Sequence, residues 1–516
     1  MKRLIYINLI FGILLISAGC KKGFLTDLAV NPNQPSQVPP SLILPPILTG
    51  YASDVYFGTT NVGQWMGYYK ISGSYAYTAN GETYYESSGS PQNWDNLYNI
   101  LKNAAYMESN AAADPNGAYS VAAAKILKCY GFQRLVDAYG DVPYSEAFQG
   151  SANFFPKYDN GKDIYDSCIV QLDNAINIIN NADVNSTNLG NNDVMFSGDM
   201  TLWAQFANTL KLRFIIRESN VVSASDASTE IAKTAATGYL TQDALVNPGY
   251  LNTAGKQSPL WASYGVDAGG SLYSDGYNYL RAGGAAVDFY KNNSDSRLFY
   301  VYAPNGSAPN TPDFFQTDNN PSDYDAAYYG DVTTASALGN SGSAGLGHGL
   351  MSGYNASVPL MTAAESYFLQ AEAAQRGWTS ADPKALYQDG ITASFEYFYS
   401  QAGESVASAD AAAATYYGQN KNLIGWDAST NKIQAIITQK WAALAGLNGF
   451  EAWTEYRRTG YPAVSTLPLS KFTPLTTHIP TKFMYPNSEQ ATNQTNYNAA
   501  VAKGNDPQST KVFWMP

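Results

Sequence analysis

The sequence predicts a mostly α-helical fold in which long irregular loops separate the helices. Apolar residues recur every three or four positions in several segments, as on the buried face of a helix. The sequence lacks long runs of alternating apolar and polar residues, so we expect only a few short strands. Segments rich in glycine, tyrosine and asparagine lie between the helical patterns, at 58–90, 246–281 and 303–356. Loops of this length inside a compact protein are usually functional.

The starts of the helices follow from capping residues. Ser90 and Pro91 supply a cap and a first-turn proline for one helix, and Asp163 and Asp199 are expected to cap two others. Further helices are predicted at 119–137, 361–376, 383–399 and 431–458. The pair on either side of the turn after Gly377 resembles a tetratricopeptide-type hairpin, although no strict repeat of about 34 residues is present.

The first residues have the features of a bacterial lipoprotein signal. A basic start, Lys2 and Arg3, precedes an apolar stretch that is too short to span a bilayer. Small residues before Cys20 resemble a lipobox, so Cys20 is expected to carry the lipid. An ordinary secretory signal cleaved near Ala18 is the alternative. Several acyl chains on one cysteine would give stable anchoring, where a single chain would be marginal.

This signal and the composition that follows it suggest three parts of the chain. Residues 1–19 are expected to be the signal peptide. A segment rich in proline and asparagine, 20–46, is expected to be an extended tether. The rest, 47–516, is expected to be a single domain in which a helical scaffold alternates with the loops.

Composition and charge exclude several classes of function. The net charge of −12 and a pI near 4.7 argue against a nucleic-acid partner, because no basic patch is available to neutralise phosphates. The chain has only two histidines, His348 and His478, so a histidine-based metal site or a Ser-His-Asp triad is not expected. Cys129 and Cys168 lie in helical patterns. We favour two buried thiols over a disulfide, because a large helical core needs no such link.

Five segments, in the same order along the chain, are similar to the SusD/RagB superfamily, and in particular to its SusD-like nutrient-binding outer-membrane lipoproteins. The segments are AKILKCYGFQRLVDAYGDVPYSEAF (124–148), FPKYDNGKDIYDSCIVQLDNAI (155–176), SGDMTLWAQFANTLKLRFIIR (197–217), VPLMTAAESYFLQAEAAQRGW (358–378) and QKWAALAGLNGFEAWTEYRRTGYP (439–462). With Cys20 and the NPNQP segment, the resemblance covers nearly the whole chain. The aromatic loops are outside it, so no ligand-contacting residue can be transferred from the family.

The resemblance implies a fold, a location and a partner. Such proteins are lipoproteins of Bacteroidetes, displayed on the outside of the outer membrane. Four tetratricopeptide-like hairpins support an irregular half that binds ligand. Each protein pairs with a SusC-like TonB-dependent transporter, which it covers as a lid. The ligands are usually glycans and sometimes peptides, and neither catalysis nor a cofactor is expected.

The segment EAWTEYRRTGYP (451–462) concentrates charge in a chain in which only 14% of residues are charged. On a helix, Trp453 and Arg457 are four residues apart, so the guanidinium can lie over the indole. Glu455 and Arg458 are three apart and can pair. Because the resemblance places this motif in proteins with different ligands, we interpret it as scaffold.

Two acidic segments invite a chemical interpretation. Asp137, Asp141 and Glu146 include the residue types of a glycosidase, which needs two carboxyl groups about 5–10 Å apart. We favour a structural role, in which Asp141 organises the turn that follows it. The segment TDNNPSDYD (317–325) has oxygen ligands suited to calcium but lacks the EF-hand spacing, and we favour a solvated loop.

The loop aromatics are the predicted ligand site. Sugars present flat C–H faces that stack on aromatic rings, while their hydroxyl groups bond to asparagine, serine and tyrosine. Many of these rings will instead pack the loops onto the helices. The predicted ligand-binding residues are Trp65, Tyr75, Tyr77, Tyr84, Trp261, Tyr264, Tyr273 and Tyr277.

The predicted function is capture of an oligosaccharide at the cell surface and its delivery to the transporter. One alternative keeps the binding role with a peptide as ligand. Another is a surface glycoside hydrolase, which would need a carboxylate pair facing the aromatic loops.

Overall fold

The computed structural model describes residues 38–75, 84, 94–472 and 478–516 of the chain. Helices dominate it, in agreement with the prediction. The long helices are Pro40–Trp65, Trp94–Ala112, Ala118–Tyr139, Gly161–Asn180, Met200–Arg217, Ala363–Gln375, Pro383–Gln401, Val406–Tyr417, Lys432–Ala443 and Gly449–Thr459. Shorter helices are Ala224–Ala232, Pro259–Tyr264, Ser274–Tyr277, Gly284–Asn292, Leu298–Val301, Val332–Leu338, Asn487–Thr492 and Gln494–Val501.

The strands are short and form antiparallel pairs. The pairs are Tyr69–Ile71 with Leu280–Ala282, Val142–Pro143 with Tyr158–Asp159, Ala244–Val246 with Val358–Met361, and Tyr302–Ala303 with Gly345–Leu346. Each pair joins segments that are distant in sequence or lie on two sides of a loop. The strands therefore fasten loops to one another rather than forming a sheet of their own.

Successive helices pack on their neighbours in sequence. Trp94–Ala112 packs on Ala118–Tyr139, which packs on Gly161–Asn180, which packs on Met200–Arg217. Later in the chain Ala363–Gln375 and Pro383–Gln401 form the hairpin that the sequence predicted. The first contacts Met200–Arg217, and Gly449–Thr459 contacts Pro40–Trp65, so the two ends of the described chain share one core.

Of the predicted capping residues Asp163 and Asp199, the structure confirms the second and not the first. Asp199 accepts hydrogen bonds from the backbone N–H groups of Thr201 and Leu202, as predicted. Asp382 caps the helix that begins at Pro383. The cap predicted at Asp163 is wrong by one turn. Asn160 caps the helix Gly161–Asn180, and Asp163 lies in its first turn. Ser90 and Pro91 lie outside the described residues.

Three predicted boundaries are wrong. Residues 40–46 belong to the helix Pro40–Trp65 and not to a tether. Pro40 suits the first helical position, because the N–H group that proline lacks would have no partner inside the helix there. The same helix extends through 58–65, which was predicted as loop. The single helix predicted at 431–458 is two helices. Gly446, with a φ of +79°, turns the chain between them, and Asn448 caps the second.

The charged segment 451–462 is part of the core. Arg457 lies over the indole of Trp453, and Glu455 pairs with Arg458. The Nη2 atom of Arg217 is 2.8 Å from the Glu451 carboxylate, which links two helices. These charged groups are buried together with their partners, so removing one partner would strongly destabilise the fold. The cluster stabilises the scaffold.

The two cysteines of the helical core, Cys129 and Cys168, are buried free thiols, and Cys129 Sγ lies 3.5 Å from the carbonyl oxygen of Cys168. Across the described ranges, no helix is both long and apolar enough to span a membrane.

Candidate functional site

The first two predicted loop segments lie side by side. Strand Tyr69–Ile71 pairs with Leu280–Ala282, and the N–H of Ser72 donates to the carbonyl oxygen of Tyr279 over 2.8 Å. The ring of Tyr75 meets the ring of Tyr279 edge to face, with centroids 5.3 Å apart. Segments about 200 residues apart in sequence therefore build one surface.

Four of the predicted ligand-binding rings are buried, namely Trp65, Tyr84, Trp261 and Tyr277. Trp65 packs against Trp453 and Phe483, with ring centroids 5.8 and 6.0 Å away. Tyr84 packs on a neighbouring tyrosine ring, and its hydroxyl oxygen accepts the N–H of Ser470. The hydroxyl of Tyr277 donates to the carbonyl oxygen of Ser307. A buried ring cannot stack on a sugar, so the expected open faces are wrong for all four, Trp261 included.

Trp261 and Phe315 form a ring pair in which one ring is buried and the other is exposed. Trp261 lies in the helix Pro259–Tyr264, and its indole N–H donates to the carbonyl oxygen of Val266 over 3.0 Å. Its ring stacks on Phe315, with centroids 6.4 Å apart and an angle of 26° between the planes. Trp261 itself is 4% exposed, whereas Phe315 is 49% exposed. Trp261 is therefore a fixed platform, and Phe315 is the ring that meets solvent.

The position of Trp261 depends on a glycine. A Cβ atom placed on Gly265 would lie 2.5 Å from the indole ring. Any larger residue there would have to displace the ring. The local sequence is therefore fitted to hold Trp261 against its neighbours.

Gln257 organises the polar groups beside this ring pair. Its side-chain N–H₂ donates to Asn252 Oδ1 and to the carbonyl oxygen of Val266, over 3.1 and 3.0 Å. The hydroxyl of Tyr273 donates to Gln257 Oε1 over 3.2 Å. Tyr273 and Tyr264 are half-buried, so part of each ring faces solvent. The result is a surface of fixed amide and phenol groups around an exposed ring.

Tyr354 approaches the same surface from the third loop. The N–H of Ser258, just before the helix that carries Trp261, donates to the carbonyl oxygen of Tyr354 over 2.7 Å. The side chain of Tyr354 is 38% exposed. Together, Trp261, Phe315, Tyr264, Tyr273 and Tyr354 are called the loop surface below.

Two titratable groups near the loop surface, Arg281 and His348, are buried. Arg281 lies four residues after Tyr277, in the strand Leu280–Ala282, and its guanidinium carbon lies 4.9 Å from the centre of the Tyr277 ring. Burial lowers the pKa of Arg281 from its ordinary value. Burial likewise lowers the pKa of His348, which packs against Phe314. The imidazole ring of His348 is therefore neutral at pH 7.

A family model described as "Starch-binding associating with outer membrane", of the SusD-like type, matches residues 32–486. The match spans most of the chain and includes every segment that builds the loop surface. The chain belongs to the SusD-like family. No curated protein matches it.

Solved structures share this SusD-like fold. A protein described as chitin-binding is 24% identical, with a TM-score of 0.71, and the match covers 92% of this chain and 99% of that one. A SusD homologue from Bacteroides fragilis is 22% identical, with a TM-score of 0.72 and coverage of 93% and 99%. A SusD/RagB family protein from Bacteroides thetaiotaomicron is 20% identical, with a TM-score of 0.68 and the same coverage.

The carboxylates considered for hydrolysis hold the SusD-like fold together. Asp137 is buried and accepts from Tyr165 and from the indole N–H of Trp514. Asp141 accepts the N–H of Gly161 over 3.0 Å and pairs with Lys503, which ties this segment to the start of the helix Gly161–Asn180. Neither partner lies in the turn after Asp141, so its role in that turn stays a prediction. Glu146 accepts from the Asn153 side chain over 3.0 Å. These partners assign the three carboxylates structural roles.

The acidic segment 317–325 is tied by its own side chains. Asn320 donates to Asp323, and Ser322 donates to Asn320. In the described part of the chain, no group of three or more histidine, cysteine, aspartate or glutamate side chains is placed to hold a metal ion.

Sequence reasoning missed Phe315 and Tyr354, although both lie in the loop 303–356. The sequence signal for Phe315 was the pair Phe314-Phe315 inside the polar run TPDFFQTDNN. Phe314 is buried, so the chain anchors one ring and exposes the next. Tyr77 and Cys20 lie outside the described residues, and their predicted roles stay predictions.

Proposed function

We propose that this SusD-like protein is a lipid-anchored protein of the outer-membrane surface that captures an oligosaccharide at the loop surface. It delivers the oligosaccharide to a SusC-like TonB-dependent transporter. The observation that carries the proposal is the exposed ring of Phe315, stacked on the fixed Trp261. An exposed ring offers a face to the C–H groups of a sugar.

The polar groups around that ring suit a neutral, hydroxyl-rich ligand. The buried Gln257 holds Asn252 and Tyr273 by hydrogen bonds, so these two side chains lose little entropy when a sugar binds. The family is described as starch-binding, and one protein of similar fold as chitin-binding. These descriptions support a glycan more than a peptide.

A binding experiment separates the glycan from the peptide alternative. The mature protein is titrated with starch- and chitin-derived hexasaccharides and with a mixture of random hexapeptides. Saturable heat with a hexasaccharide, and none with the peptides, is the expected result. Binding of peptides alone would replace the glycan proposal with the peptide one.

Two further measurements test the other parts of the proposal. Affinity purification of the tagged protein from its own outer membranes should recover a TonB-dependent barrel in about equal amount. Long incubation with a bound hexasaccharide should leave it intact. Release of shorter sugars would favour the hydrolase alternative.

A further inference from the structure

A second cleft lies along the helix Trp94–Ala112, which contributes nothing to the loop surface. Two cavities, of about 470 and about 350 Å³, adjoin this helix, and Asn99 lines both. Each volume falls within the range of about 300–1,000 Å³ that is typical of ligand pockets. Because they share Asn99, the two cavities are neighbours along the helix, and together they are treated as one elongated cleft. An elongated shape fits a linear chain better than a compact ligand.

Three asparagines line this cleft from one face of the helix. Asn96, Asn99 and Asn103 follow one another at intervals of three and four residues, which places them on the same side. Asparagine is a poor choice inside a helix, because its side chain competes with the backbone for hydrogen bonds. Exposed helix positions normally carry lysine, glutamate, glutamine or alanine. The helix therefore retains three residues that do not stabilise it.

The three amide groups are available to a ligand. Within the described ranges, none of them hydrogen-bonds to another residue of the chain. An amide group offers both a donor and an acceptor, which is what a sugar hydroxyl requires. A row of such groups along a cleft can bond to successive residues of an oligosaccharide. We call Asn96, Asn99 and Asn103, with Tyr98 and Phe148 at one end, the asparagine cleft.

Aromatic rings close that end of the cleft. Tyr98 and Phe148 both line it, with ring centroids 6.1 Å apart, and both are half-buried. The hydroxyl of Tyr98 donates to the carbonyl oxygen of Pro143 over 2.8 Å, which fixes the ring. Phe148 has a φ of +63°, a conformation that is unfavourable for a bulky residue and that occurs most often at functional sites.

The loop beyond Phe148 adds two exposed rings. It leaves the cleft at Phe148 and returns to it at Pro156. Phe154 and Phe155, just before the return, are 69% and 64% exposed. The carbonyl oxygen of Phe155 accepts from the side chain of Asn496 over 2.9 Å, so the loop is anchored. Two adjacent exposed phenylalanines in an anchored loop indicate a surface that contacts another molecule.

The charges of the cleft restrict the class of ligand. Asp95 and Glu489 line the larger cavity, and neither cavity is lined by a lysine or arginine among the described residues. Asp54 lines the smaller cavity, but the buried Arg134 neutralises it. The Asp95 and Glu489 carboxylates would repel a sulfated or uronic-acid sugar, whereas they accept hydrogen bonds from neutral hydroxyl groups. The chemistry therefore favours a neutral glycan.

We propose that the asparagine cleft is a second glycan-binding site, which takes a neutral oligosaccharide independently of the loop surface. The proposal rests on the proposed function, in that it assumes a glycan as the ligand. A protein with two sites would hold a long polysaccharide at two points, and avidity would then exceed the affinity of either site.

The test uses a variant that should keep the fold intact. The triple variant Asn96→Ala, Asn99→Ala, Asn103→Ala replaces two exposed asparagines and the half-buried Asn103 by the best helix former, so its unfolding midpoint should be equal or higher. The mature protein is titrated calorimetrically with neutral hexasaccharides of starch, chitin, cellulose and mannan, and with a uronic-acid hexasaccharide. The wild type should bind a neutral hexasaccharide at two sites. The triple variant should lose one site, with its dissociation constant raised at least about tenfold by the lost hydrogen bonds.

Controls separate this proposal from the proposed function. Asn174→Ala changes an exposed asparagine of the helix Gly161–Asn180, away from the cleft, and should bind like the wild type. Phe315→Ala should weaken binding at the loop site and leave the cleft site unchanged. A triple variant that binds like the wild type, while Phe315→Ala weakens all the binding that is observed, would overturn the cleft proposal alone. If the wild type binds no hexasaccharide, both proposals fall. If the triple variant keeps both sites but loses the transporter, the cleft is a protein-docking surface instead.

Discussion

The guanidinium carbon of Arg457 lies 3.4 Å from the centre of the Trp453 indole ring, in the interior of the protein. The same guanidinium donates to the carbonyl oxygens of Asp137 and Thr481, and the indole N–H donates to that of Pro480. One helix thereby fastens two distant segments of chain. These contacts assign the charged segment 451–462 a structural role rather than a catalytic one.

Replacing Trp453 by alanine should destabilise the protein without changing its ligand site. Loss of a fully buried aromatic side chain should lower the free energy of unfolding by about 3–5 kcal/mol. Denaturant unfolding measures this change, and hexasaccharide titration of the folded variant should give the wild-type affinity. Trp453→Phe, which keeps a ring under the guanidinium, should lose less. A fully stable Trp453→Ala that no longer binds would assign the segment to the ligand site.

The sequence predicted those features that depend on local chemistry. Asp199 caps its helix because a carboxylate bonds to nearby backbone N–H groups, and this needs no knowledge of the rest of the chain. The Trp453–Arg457 contact follows in the same way from the spacing of the helix.

Burial of loop aromatics could not be predicted from the sequence, since it depends on distant partners. Trp65 looked like a loop ring, but Phe483, more than 400 residues later, covers it. Phe315 and Phe314 are adjacent, yet only the structure tells which one is exposed. The asparagine cleft was missed for a related reason. Its residues follow a helical period, but the cavity beside them is built by another helix and a loop.

Glu218 should make stability depend on pH. Its side chain is 5% exposed, and burial raises its pKa from 4.5 to about 7, although Lys162 lies 3.8 Å away and opposes the shift. The folded protein therefore holds a proton more tightly than the unfolded chain does. The contribution of Glu218 to stability should fall as the pH rises from about 4.5 to about 7 and stay low above that.

The variant Glu218→Gln should remove this dependence, because glutamine is neutral at every pH. Its free energy of unfolding should exceed that of the wild type by up to about 3 kcal/mol at pH 8, and should be close to it at pH 4.5. Urea unfolding at the two pH values measures the difference. Glu404→Gln, at an exposed position, is the control and should show no such trend. A Glu218→Gln variant that is less stable at pH 8 would contradict the burial argument.

Cys20 should carry the lipid anchor. Cys20→Ser removes the thiol to which the acyl chains are attached, so the protein should be released from membranes or remain unprocessed. Membrane fractionation and the mass of the mature N-terminus measure the outcome. A variant that is processed and retained like the wild type would contradict the lipoprotein assignment.

Phe315 should contribute to ligand affinity and little to stability, whereas its neighbour Phe314 should do the reverse. Phe315 is half exposed on the Trp261 platform, so Phe315→Ala removes a stacking face while leaving the core intact. By analogy with the stacking of bases on aromatic rings, the loss should be about 1–3 kcal/mol of binding free energy. Phe314 is fully buried, so Phe314→Ala should lower the free energy of unfolding by about 3–5 kcal/mol. Both variants are titrated with the hexasaccharide that the wild type binds, which measures affinity. Both are also unfolded with denaturant, which measures stability. Equal affinity of Phe315→Ala and the wild type would move the glycan site away from the loop surface.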